Sequence, residues 1–84
     1  MKEIINEFNQ ITRWPKKPID KEKVIKFLST KFNSDKKYSE KEVNEILDIC
    51  HLFNDIPLLR REMISRKYLF RKDDGSEYWK NKEI

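Results

Sequence analysis

The sequence predicts a small α+β, mainly helical domain of the winged helix-turn-helix type, with three to four helices and a C-terminal β-hairpin as the wing. Three observations carry that prediction. The only glycine, Gly75, lies in Asp73-Asp74-Gly75-Ser76 between the aromatic-rich runs 68–72 and 77–80, and an Asp-Gly pair between such runs is a strong hairpin signal. Just upstream, two helical patterns each carry a start signal. Only a few residues separate those two patterns, so the order is helix, turn, helix, hairpin.

Taken in chain order, Ile4, Ile5, Phe8 and Ile11 stand at helical spacing and predict an amphipathic helix within residues 1–12, ending near Thr12. Its apolar stripe would cover the domain's own core or a second copy of the chain. Residues 13–19 hold Arg13-Trp14-Pro15-Lys16-Lys17-Pro18, where two prolines keep the backbone extended and make a basic arm. Trp14 is expected to pack onto the core, since a fully exposed indole forgoes its burial. The three-helix core is expected over residues 20–67. Asp20 is a candidate N-cap for a helix from about Lys21 to Phe32 that buries Val24, Phe27, Leu28 and Phe32, closed by Asn33-Ser34-Asp35.

Ser39-Glu40-Lys41-Glu42 is a capping box, in which the serine hydroxyl and the glutamate three residues on satisfy each other's free backbone N–H groups. The following helix presents Val43, Ile46, Leu47 and Cys50 on one face. After a turn at residues 51–54, Asp55 can cap a third helix, with Pro57 in its first turn, running to about Lys67. Ile56, Leu59 and Met63 share its inner face, while Pro57, Leu58, Arg61 and Ser65 point elsewhere, toward a groove. The hairpin closes the domain at residues 68–80. Within it Tyr78 and Trp79 must point to opposite faces.

Composition limits the function classes. One domain of 84 residues, 40% charged and 37% hydrophobic with ten aromatics, has a genuine core and is no disordered tail. No run approaches the roughly 20 apolar residues of a membrane span, and Met1-Lys2-Glu3-Ile4 lacks the apolar stretch of a signal peptide. A cytoplasmic protein without a membrane partner is expected. One cysteine and one histidine exclude an internal disulfide and leave too few ligands for a metal. Cys50 reads as core filler, because adjacent helical residues point about 100° apart and cannot make a nucleophile-base pair with His51. His51 is expected to cap helix-end carbonyls, its positive form favoured by the dipole. Without a glycine-rich phosphate loop or carboxylate cluster, neither enzymatic activity nor a cofactor is expected.

The net charge of +4 is unevenly distributed. Residues 13–37 carry nine bases against three acids, and residues 56–72 six against one; residues 38–55 carry one against five, and those from Asp73 onward two against four. Two basic segments therefore flank an acidic one. Double-stranded DNA is the partner such segments suit, with Arg61 and Ser65 reaching bases or phosphates from the major groove and Arg66 at the helix end. Arg13, Lys16 and Lys17 of the arm, with Arg71 and Lys72 of the hairpin, would add backbone contacts. Arg60 belongs near the apolar face, its guanidinium paired with an acid such as Glu42 or Glu45. The acidic tip, Asp73 and Asp74, and the acidic second helix weigh against this picture. A different class of function, a protein-interaction or homodimerisation module, would use Leu58, the N-terminal stripe and the outward hairpin aromatic.

The run Arg13-Trp14-Pro15-Lys16-Lys17, the stretch from Tyr38-Ser39-Glu40 to Glu45-Ile46-Leu47, Asp55, Leu59-Arg60-Arg61-Glu62 and Asp74-Gly75-Ser76-Glu77-Tyr78-Trp79 together resemble a bacterial domain family of unknown function, found alone or joined to helix-turn-helix transcription regulators. Nearly the whole chain is covered. The resemblance implies a prokaryotic cytoplasmic protein with a role in transcription, and it transfers no catalytic residues. The chain departs from the family pattern at Lys67, where a glycine is usual, which bears on the turn between the third helix and the hairpin.

Overall fold

The structure is a computed structural model that describes residues 4–83. Among these residues the elements run α1 (Pro18–Ser29), β1 (Lys37–Tyr38), α2 (Glu40–Cys50), α3 (Ile56–Ser65), β2 (Leu69–Arg71) and β3 (Tyr78–Lys80). The strands form one antiparallel sheet in the order β1-β3-β2. This is a small α+β architecture of three helices and three strands. Its core joins Val24, Ile25 and Leu28 of α1, Val43 and Leu47 of α2, Leu59 and Met63 of α3, and Leu69 and Tyr78 of the sheet. Each large aliphatic removed from water there contributes about 1.5–3 kcal/mol.

Local chemistry explains the helix starts. Ser39 Oγ accepts from the Glu42 N–H at 3.1 Å and Glu42 Oε1 accepts from the Ser39 N–H at 2.9 Å, so the capping box forms as its spacing predicts. The Ser39 N–H bond holds the Glu42 carboxyl below the usual carboxylate range. Asp55 caps α3 through the Leu58 N–H, with Pro57 in the first turn. The first helix differs from expectation. It begins at Pro18, whose fixed φ and missing N–H suit the first helical position, and its N-cap residue Lys17 makes no side-chain cap bond. Asp20 therefore sits in the first turn and does not cap the helix. The helix ends at Ser29, so Phe32 is buried from the turn beyond it.

The expected N-terminal helix is replaced by a loop that folds back on itself. Its part at residues 1–3 lies outside the described residues. Asn6 Oδ1 accepts from the N–H groups of Phe8 and Gln10, Asn9 takes φ +59°, and Ile5 bridges to Ile11. These are the turn bonds that asparagine offers in competition with helix. Ile4 and Ile11 are buried, whereas Phe8 is 73% exposed. The loop clips the α2–α3 turn, since Ile11 N–H donates to Cys50 C=O at 2.7 Å and Leu52 N–H donates to Ile11 C=O at 2.9 Å.

Strand β1 was not expected, because two residues carry no periodicity. It pairs Lys37 with Trp79 and Tyr38 with Tyr78. The hairpin follows its turn signal: Lys72 N–H donates to Glu77 C=O, Gly75 N–H to Lys72 C=O, and Gly75 takes φ +75°. At the other end, Lys67 also takes a positive φ, +69°. There Tyr68 N–H donates to Met63 C=O and Lys67 N–H to Ile64 C=O, the paired bonds that close a helix through a left-handed residue. Glycine is the residue that meets such a backbone requirement without steric cost.

Candidate nucleic-acid interface

Helix α3 distributes its basic residues between two roles. Arg60 lies half-buried against α2, where it donates to Asn44 Oδ1 at 2.5 Å and its Nε stands 3.8 Å from Glu40 Oε1. An inward, intramolecular role was expected, but the partners are Glu40 and Asn44 in place of Glu42 or Glu45. Glu40 also accepts from the Tyr78 hydroxyl at 2.9 Å; burial, reinforced by that bond, raises the Tyr78 phenol above its ordinary range. Arg66 is likewise engaged. Its Nε pairs with Glu62 at 2.8 Å and its Nη1 with Glu22 of α1 at 2.7 Å. Glu22 takes a further bond from the Tyr68 hydroxyl, and Tyr68 and Arg66 together lower the Glu22 carboxyl.

Arg61 differs. It is exposed and has no hydrogen-bond or ion-pair partner among the described residues. Together with Ser65, also exposed, and Arg71 of β2 it lines an open groove of about 440 Å³ between α3 and the hairpin, which Pro57, Ile64, Tyr78 and the Arg60–Glu40 pair also line. Three of the eight sequence-predicted site residues thus meet in one place. Lys72 does not join them. It lies on the opposite side of the hairpin, 3.4 Å from Glu77, as alternation along a strand requires. Nor do Arg13, Lys16 and Lys17 line the groove. They are exposed, while Trp14 between them packs half-buried against the core beneath Lys21 and Pro15 is buried.

His51 organises the turn that aims α3. Its Nδ1 sits 2.6 Å from Leu47 C=O and its Nε2 accepts from the Asp55 N–H at 2.9 Å. The ring thus ties the end of α2 to the start of α3. The expected contact with a helix-end carbonyl is present. Cys50 is buried, and burial pushes its thiol up, away from nucleophilic character. Among the described residues no group of three or more His, Cys, Asp or Glu converges to hold a metal ion, and no helix is long and apolar enough to cross a membrane.

The family described as an uncharacterized protein conserved in bacteria, DUF2087, matches residues 10–80. The chain belongs to this family. The DUF2087 match takes in α1 through β3, including the α3 groove and the hairpin, and leaves residues 4–9 of the N-terminal loop outside it. No curated protein and no solved structure matches the chain.

Sequence reasoning placed one hairpin aromatic on a surface but missed the row it joins on the outward sheet face. Lys37, Trp79 and Phe70 form a row across its three strands. Alternation in β2 and β3 marks the two aromatics as outward, but the lysine comes from a strand with no sequence signal.

Proposed function

We propose that the chain is a winged helix-turn-helix module that binds double-stranded DNA, with α2 and α3 as the helix-turn-helix, the hairpin as the wing and the α3 groove as the contact surface. The observation that carries this is the sorting of the arginines. Arg60 and Arg66 are held by internal partners, whereas Arg61 has no partner among the described residues and stands beside Ser65 and Arg71 in an open groove. An unpaired guanidinium in that position is available to guanine edges and to phosphates. Arg61, Ser65 and Arg71 form the proposed contact; Arg13, Lys16 and Lys17 supply diffuse attraction to the phosphates, and Arg66 drops out of the interface. A binding role in cytoplasmic transcriptional control, without catalysis, is the function that fits this surface. Charge reversal tests it: Arg61→Glu should abolish binding of a random duplex at low salt while leaving the melting temperature unchanged.

A second reading, an interaction module, draws on Ile49 and Leu52, which are 70% and 55% exposed near the end of α2. Of the surface first expected for it, Ile4 and Ile11 are buried and Leu58 is half-buried, while Phe8 is 73% exposed and Trp79 lies on the outward sheet face. Self-association lost on Ile49→Lys, together with no DNA binding, would favour that reading.

A further inference from the structure

The outward face of the sheet has a chemistry distinct from the α3 groove. Phe70 and Trp79 are half-buried cross-strand partners with ring centroids 6.3 Å apart and planes tilted by 54°. They floor a broad open depression of about 700 Å³ with Lys37, Lys72 and Lys82 at its rim. The ammonium groups of Lys37 and Lys72 stand 3.8 and 3.4 Å from Glu77 Oε2, an oxygen shielded from solvent that accepts no hydrogen bond among the described residues. That carboxylate holds the two lysines beside the rings without satisfying its own acceptor. Five lysines and three carboxylates line the depression in all.

We propose that this face binds single-stranded nucleic acid, with bases stacked on Trp79 and Phe70 and the adjoining phosphates on Lys37, Lys72 and Lys82. Stacking asks only for an accessible ring face, and lysines flanking two such rings supply the matching charge for a backbone. Lysine is depleted from the buried centres of protein–protein interfaces, so the composition favours a polyanion over a second protein. An arriving phosphate replaces Glu77 as the partner of Lys37 and Lys72. The site lies on the other side of the hairpin from Arg61 and does not depend on duplex binding there.

The test is fluorescence anisotropy of a labelled oligothymidine strand, titrated at several salt concentrations. Wild-type binding should weaken with salt with a slope of about −2, from roughly 0.7 per phosphate over three contacts. Phe70→Ala and Trp79→Ala should each weaken it by about fivefold to a hundredfold. Glu77→Gln should tighten it, and Arg61→Glu should leave it unchanged. Lys72→Glu, which alters an exposed side chain and no packed one, should weaken it in a protein whose circular dichroism is unchanged. The proposal is overturned by no binding at low salt, by an abasic strand binding as tightly as the base-bearing one, or by loss only in Arg61→Glu. A dimer in sedimentation velocity that disappears in Trp79→Ala would also overturn it, marking the face as a contact between copies.

Discussion

Replacing Arg60 and Arg61 one at a time by alanine separates structure from function within a single turn of α3. Arg60→Ala removes a charged hydrogen bond to Asn44 and an ion pair with Glu40 whose carboxylate is half exposed. A hydrogen bond with a charged donor is worth about 1.5–3 kcal/mol, and the 3.8 Å pair adds no more than about 0.5 kcal/mol after solvent screening. Taking about 2 kcal/mol in all, a domain of this size should lose roughly 8–16 °C of Tm. Arg61→Ala touches an exposed side chain with no partner among the described residues and should stay within about 0.5 kcal/mol of wild type. Thermal melts followed by circular dichroism decide the matter. An Arg60→Ala, Asn44→Ala double-mutant cycle then tests the named bond, with a coupling of about 1 kcal/mol or more expected. Equal Tm shifts for the two arginines would refute the assignment of faces, and with it the claim that Arg61 is held free for a partner.

Other consequences follow from the same geometry. Lys67→Gly, at φ +69°, should raise stability by about 0.5–1 kcal/mol, because relief of the left-handed strain exceeds the added freedom of the unfolded chain; chemical denaturation measures it, and a destabilised variant would contradict it. His51→Phe leaves Leu47 C=O and Asp55 N–H without their partner and should cost about 1–3 kcal/mol by the same method. Glu22, lowered by Tyr68 and Arg66, stabilises the fold fully above the carboxylate's unfolded value of about 4.3 and progressively less as pH falls through its lower folded value. Glu22→Gln should therefore flatten the fall of Tm on acidification below about pH 5; an unchanged profile would show that this cluster contributes nothing.

What could be read from the sequence was what short-range chemistry decides. The capping box at Ser39 and Glu42, the Asp55 cap and the Gly75 turn each depend on a few adjacent residues, and each forms. The N-terminal segment misled because Ile4, Ile5, Phe8 and Ile11 satisfy a helical period over barely two turns, while Asn6 and Asn9 supply competing turn bonds that the period does not register. The helical angle placed Arg60 inward, yet its partners depend on how α2 and α3 cross, which no local pattern encodes. The same holds for the two basic surfaces. Arg61 and Ser65 are one turn apart on α3, but Arg71 joins them only through the docking of the hairpin. Lys37 meets Trp79 only through β1, a strand too short to announce itself.

The central claim is that Arg61 is a DNA contact, and the salt dependence of duplex binding tests it most directly. The logarithm of the association constant for a random duplex should fall linearly with the logarithm of salt concentration. Its slope should be shallower by about one in Arg61→Ala, one phosphate contact having been removed, in a protein that melts like wild type. A slope identical in wild type and Arg61→Ala, or no duplex binding at low salt, would contradict the claim.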